Sequence, residues 1–228
     1  MPMLTPLEME TINLSLLVSA WAVVGSLPLG VGCAWLLARV DFPGKVLFDG
    51  LIHLPLVLPP VVVGYGLLIT LGRHGPVGSY LYDWFGITLA FNWKGAAVAS
   101  AVIAFPLLVR AIRLSIEAVD PGLEQAARTL GLGPVQAFFR ITLPLMFPGI
   151  MAGVVLSFAR SLSEFGATIT FVSSIPGETR TLPLALYALT QVPDGEAAAL
   201  RLCVISVLLA LGALIGSDLL AKWMADRA

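Results

Sequence analysis

From Thr11 to Ala38 the chain runs without a single charged side chain. An α-helix rises about 1.5 Å per residue and the hydrocarbon core of a bilayer is about 30 Å thick, so about 20 apolar residues suffice to cross it. This run is long enough to do so with residues to spare. The composition carries the same message over the whole length: of 228 residues, 58% are hydrophobic and only 12% charged, and the mean hydropathy is +0.93. Soluble domains carry about 25% charged residues, so the surplus apolar surface has to face lipid.

Further apolar segments give spans near 11–38, 48–72, 93–116, 144–171 and 198–222. Between Gly50 and Gly72 only His53 is titratable. The third span is charge-free only as far as Val109 and is expected to continue with Arg110 and Arg113 snorkelling to the interface. Lipid offers the backbone no hydrogen-bond partner, so the segments are expected to be helical. The expectation is an all-α membrane protein of about five transmembrane helices, a single membrane domain over residues 1–228.

Orientation follows from Lys and Arg, which are retained on the cytoplasmic side. One choice places Arg39, Lys45, Arg110, Arg113, Arg128, Arg140, Lys222 and Arg227 inside, against Arg73, Lys94, Arg180 and Arg201 outside. That puts the N-terminus outside and the C-terminus inside, as an odd number of crossings requires. Glu8 and Glu10 stand before the first apolar run, where a signal peptide would be positively charged, so the run is expected to stay as an anchor.

A formal net charge of -1 leaves no basic stripe for nucleic acid. Cys33 and Cys203 lie inside apolar runs and read as small hydrophobes rather than a disulfide or metal site. In the external segment, Trp84, Phe85, Phe91 and Trp93 read as an interfacial aromatic belt. The segment 172–196 is broken by Pro176, Gly177, Pro193 and Gly195 around a short helix from Leu182 to Leu189, too short to cross. His53, at the start of the second span, is expected to be a hydrogen-bonded interfacial histidine.

The segment 120–141, on the inner side, carries the most specific signal. Asp120 suits a helix N-cap and Pro121 the first helical position, with Glu124 completing a box-like arrangement. Gly131 supplies a left-handed terminus and Pro134 forbids continuation. The result is a short helix, small-faced through Ala126 and Ala127, that a partner protein can approach closely.

These residues resemble the cytoplasmic signature of the binding-protein-dependent ABC importer permeases. That signature reads Glu-Ala-Ala, three residues, Gly, nine residues, then Ile-x-Leu-Pro. It is met by Ala126, Ala127, Gly131, Ile141, Leu143 and Pro144 with both spacings intact, while Gln125 replaces the first Glu and Glu124 is its neighbour. The stretches 41–45, 54–64 and 157–168 are similar to the molybdate permeases in particular, with sulfate and tungstate permeases close behind. The resemblance implies the type I ABC importer permease fold, with the short helix acting as a coupling helix for ATPase docking. It implies a second copy of the chain around the pore, two cytoplasmic ATP-binding subunits that hold ATP and Mg, and a periplasmic molybdate-binding protein that delivers the oxyanion. The expected location is the bacterial inner membrane. No P-loop occurs in the chain, so ATP hydrolysis is expected on the partner and no cofactor is expected here.

Two groups are candidates for the pore or gate. Pro55, Pro59 and Pro60 interrupt the second span, each removing an amide donor, and such breaks persist where protein or water repairs the freed carbonyls. Arg160 and Glu164 are spaced to pair on one helix face in the fourth span. A charge at mid-bilayer costs about 2.5–3.5 kcal/mol on insertion scales, which makes both functional candidates. A clasp or gate is favoured over a tight anion site, because conduction needs weak sites. Rival readings are an ion-coupled secondary transporter and a non-transport membrane scaffold. The first is disfavoured by Glu164 being the single acidic residue well inside a span.

Overall fold

The computed structural model of the protein describes the backbone of residues 5–225 and side chains through Gly216. Lys222 and Arg227, both counted with the inner side on charge, lie outside the described side chains. In chain order the helices are α1 (Pro6–Arg39), α2 (Lys45–Val57), α3 (Pro60–Leu71), α4 (Gly78–Phe85), α5 (Trp93–Ala118), α6 (Pro121–Thr129), α7 (Pro134–Ala137), α8 (Leu143–Leu162), α9 (Gly166–Val172), α10 (Leu182–Thr190) and α11 (Glu196–Ala225), with a π-helical turn, Phe138–Thr142, between α7 and α8.

α5 is the central post. Ile103, Leu108, Val109, Ile112 and Ile116 are all buried, and Ala96, Ala99 and Ala104 let neighbouring helices come close. Small residues at such contacts maximise van der Waals packing where lipid supplies no hydrophobic drive between helices. α1 and α8 pack on α5, and Ser157 Oγ of α8 donates to the Ala104 carbonyl at 3.1 Å. A second cluster joins the C-terminal half of α1, through Ala34 and Leu37, to Met146 and Ile150 of α8.

α1 begins ahead of the apolar run. Thr5 Oγ1 accepts from the Glu8 amide, and Glu8 Oε2 accepts from the Thr5 amide at 2.8 Å, a reciprocal capping box. Glu8 is buried, and its Oε1 accepts a hydrogen bond from Arg201 Nε of α11 at 3.0 Å and lies 2.9 Å from Arg201 NH2. Ser15 Oγ accepts from the Leu182 amide at 2.6 Å. The N-terminal half of α1 is thus fastened to α10 and α11.

The expected spans need three corrections. Among the described residues four helices are long and apolar enough to cross a membrane, five if α2 and α3 are counted as one span, and that pair is bent by 113°. The span expected at 48–72 is therefore two half-helices. Pro59 forces Leu58 into an extended conformation (ψ 142°), and Pro60 starts α3 afresh. Pro55, by contrast, lies within α2, as Pro28, Pro106 and Pro148 lie within their own helices. The span expected at 144–171 begins earlier, forming one continuous helix from Pro134 to Leu162. It then breaks at Ser163, and α9 resumes at Gly166. The segment expected at 120–141 is accordingly shared between α6 and the foot of the α8 span.

Arg113 does not simply snorkel. Its Nε donates to Glu117 at 2.8 Å and its NH1 to Asp49 of α2 at 3.1 Å, while Arg110 is exposed. The segment between α3 and α5 contains α4, whose Tyr80, Trp84 and Phe85 are strongly exposed. His53 Nδ1 lies 2.9 Å from the Asp49 carbonyl.

Candidate functional site

The first element of the site is α6. Asp120 is its N-cap, with Oδ1 accepting from the Gly122 amide at 2.8 Å, and Pro121 opens the helix. Glu124 falls one position beyond the place a capping box needs and turns toward the bundle instead. Its Oε1 accepts from Thr142 Oγ1 at 2.7 Å and lies 3.3 Å from Arg39 NH2. The small face expected of Ala126 and Ala127 is divided: Ala127 is buried against the chain itself, whereas Ala126 is exposed. Gln125, Arg128, Thr129 and Gly131 are exposed too, and Leu130 is 85% exposed.

α6 closes with a Schellman arrangement. The Leu132 amide donates to the Ala127 carbonyl at 3.1 Å and the Gly131 amide to the Arg128 carbonyl at 3.0 Å. This requires Gly131 to sit at φ +89°, which side-chain-bearing residues adopt only under strain. A Cβ built there would meet nothing within 4 Å. Gly131 therefore faces open space. Ile141 lies in the π-turn, while Leu143 and Pro144 are the first two residues of α8, with Pro144 exposed. Exposed Leu123, Val135 and Phe139 lie on the same stretch, so α6 is a knob bordered by apolar side chains.

The second element brings the two broken helices together. α3 packs along α9. A Cβ on Gly64 would lie 2.5 Å from the Ala167 carbonyl oxygen, and one on Gly166 would lie 2.9 Å from Pro60 Cβ. The backbones are in direct contact. Pro60 thus meets α9 at Gly166, two residues after Glu164, while Pro55 lies a turn earlier on α2. Gly64→Ala is expected to cost about 1–3 kcal/mol by forcing α3 off α9, read as a lowered unfolding midpoint of the purified protein.

Arg160 and Glu164 do pair, at 2.8 Å, but not along a continuous helix: α8 has ended at Leu162 and the pair spans the break. Glu164 is only 2% exposed, and its second oxygen accepts from the Ala167 amide at 2.7 Å. One carboxylate therefore neutralises Arg160 and satisfies a free amide in the first turn of α9. In this conformation Arg160 is occupied by a carboxylate, which fits a clasp better than an anion site.

Sequence reasoning missed Arg39, Thr142, Gly64 and Glu8. Arg39 registered only as a topogenic charge, and nothing in a single sequence places Thr142 opposite Glu124.

The chain is 62% identical to the molybdenum transport system permease protein ModB of Escherichia coli (strain K12), over 99% of this chain and 98% of that protein. It is 58% identical to ModB of Haemophilus influenzae, over 97% of this chain and 96% of that one. Among solved structures, a bacterial ABC transporter involved in the import of the acidic polysaccharide alginate superposes with a TM-score of 0.75 at 17% identity, covering 96% of this chain and 80% of that one, a likeness of fold alone. In the family to which these features point, the ATPase is a separate subunit and the permease carries no cofactor. Residues 26–226 match the binding-protein-dependent transport system inner membrane component, and the chain belongs to that family of multi-pass inner-membrane permeases.

Proposed function

We propose that this chain is the membrane-spanning subunit of an ABC importer for molybdate, working as a pair of identical copies with two ATP-binding subunits and a periplasmic molybdate-binding protein. The cargo is inferred from the 62% identity to a molybdenum transport system permease over nearly the full length. The exposed α6 knob carries the mechanical part of the reading. It lies at the end of the bundle where Arg39, Lys45, Arg113, Arg128 and Arg140 gather, which the positive-inside rule assigns to the cytoplasm. The N-terminus is then periplasmic and the C-terminus cytoplasmic.

In this reading, ATP-driven closure of the partner subunits draws the two knobs together. Gln125, Ala126, Leu130 and Gly131 form the docking surface, and the movement passes through Ile141, Leu143 and Pro144 into α8. At the other end of α8 the Arg160–Glu164 clasp and the Pro59–Pro60 break of the facing α3 act as the gate. Arg160 stays paired while the gate is shut, and specificity resides in the binding protein, because a tight site in the pore would slow release.

The test is anion uptake into proteoliposomes holding the full complex. Molybdate is expected to enter only with ATP and loaded binding protein inside and outside respectively, with tungstate competing and excess sulfate not. Equal competition by sulfate would move the assignment to a sulfate permease. Uptake without ATP would establish an ion-coupled secondary transporter instead.

A further inference from the structure

We propose that Arg39 is the positioning residue that locks the α6 knob to the bundle through Glu124 and Thr142, so that displacement of α6 reaches α1, α5 and α8 together. The inference rests on the reading of the chain as an ATPase-coupled permease and adds the joint on which that coupling turns.

A lever needs fixed points. Along its length α6 buries only Ala127, and it packs mainly on α7 and the π-turn, which follow it directly in the chain; Val119–Asp120 connects it to α5. A knob held so lightly would rotate in place when pushed. The missing attachment is polar. Arg39 sits in the last turn of α1, and its NH2 donates to the carbonyl of Val119, the C-cap of α5, at 2.9 Å. The same nitrogen lies 3.3 Å from Glu124 Oε1 in the first turn of α6. That oxygen accepts at 2.7 Å from Thr142 Oγ1, in the π-turn that leads into α8. Four chain segments therefore meet at one guanidinium and one carboxylate.

The setting favours a working joint. Thr142 is fully buried, and the Arg39 and Glu124 side chains are 15% and 23% exposed, so the pair is shielded from the screening that makes surface ion pairs weak. A π-turn carries an extra residue per turn and so changes which side chains face a neighbour, and such turns recur at functional sites. Here that change directs the Thr142 hydroxyl to α6. A planar guanidinium also serves a carbonyl and a carboxylate from one rigid head, which an ammonium on a flexible stem does less well.

The experiment uses the complete complex in proteoliposomes and measures basal ATP turnover, cargo-stimulated turnover and anions moved per ATP. Arg39→Ala is expected to keep ATPase-subunit binding and basal turnover while losing stimulation by about tenfold, an ordinary size for a coupling between sites, with fewer anions per ATP. Thr142→Val, which keeps shape and removes the hydroxyl, is expected to lose about fivefold, and it carries the test should the Arg39→Ala chain fail to insert and fold in the membrane. Arg39→Lys restores stimulation in part. The double variant is expected to be no worse than Arg39→Ala, because both act through one joint. Wild-type stimulation and stoichiometry in Thr142→Val, additive losses in the double variant, or release of the ATPase subunits by Arg39→Ala would each overturn the joint alone. A native complex whose ATP turnover ignores loaded binding protein would overturn the permease reading, and the joint with it.

Discussion

Gly131→Leu is expected to abolish cargo-stimulated ATP turnover in the reconstituted complex while leaving membrane insertion intact. Two effects combine. A leucine at φ +89° pays about 1–2 kcal/mol of backbone strain, which works against the Schellman closure of α6. Its side chain would also project into the open space that Gly131 faces, on the surface proposed to dock the ATPase subunit. Gly131→Asn separates the two contributions, since asparagine tolerates the left-handed region better than other side chains. It should retain a measurable fraction of the stimulation. Wild-type stimulation in Gly131→Leu would remove α6 from the docking surface.

The second large effect is expected at the other end of α8. Glu164→Ala leaves Arg160 without its partner and the Ala167 amide without an acceptor in a site where Glu164 is almost fully buried. Breaking a buried pair from one side costs about 3 kcal/mol or more. For a chain of this size that corresponds to a fall of about 10 °C in Tm. Glu164→Gln keeps an acceptor for the Ala167 amide and should fall by less. If Glu164 serves the closed gate, both variants should also leak small anions without ATP. A Glu164→Ala complex with native Tm and no leak would reduce the clasp to an incidental contact.

The long helices were legible because lipid imposes a simple rule: about 20 apolar residues make a span. α1 and α5 obey it. The rule failed where a span is assembled from pieces. Pro59 and Pro60 signalled an interruption, but the 113° bend between α2 and α3 depends on α3 packing against α9, and no local pattern encodes that pairing. The break at Ser163 went unread because Arg160 and Glu164 have helical spacing, and a pair across a broken helix has the same sequence separation as a pair along an intact one. At α6, Asp120, Pro121 and Gly131 were legible because capping is local chemistry. Glu124 was not, since its partners Arg39 and Thr142 come from distant parts of the chain.

The buried Glu8 bears on how the protein is made. Its partner Arg201 is 193 residues downstream, and the Ser15 hydroxyl meets an amide 167 residues downstream. Until Arg201 has been synthesised and packed, the Glu8 carboxylate has only its local partner, the Thr5 amide. This end of the bundle therefore closes late, after nearly the whole described chain has been made, and the order of synthesis sets the order in which its polar contacts can form.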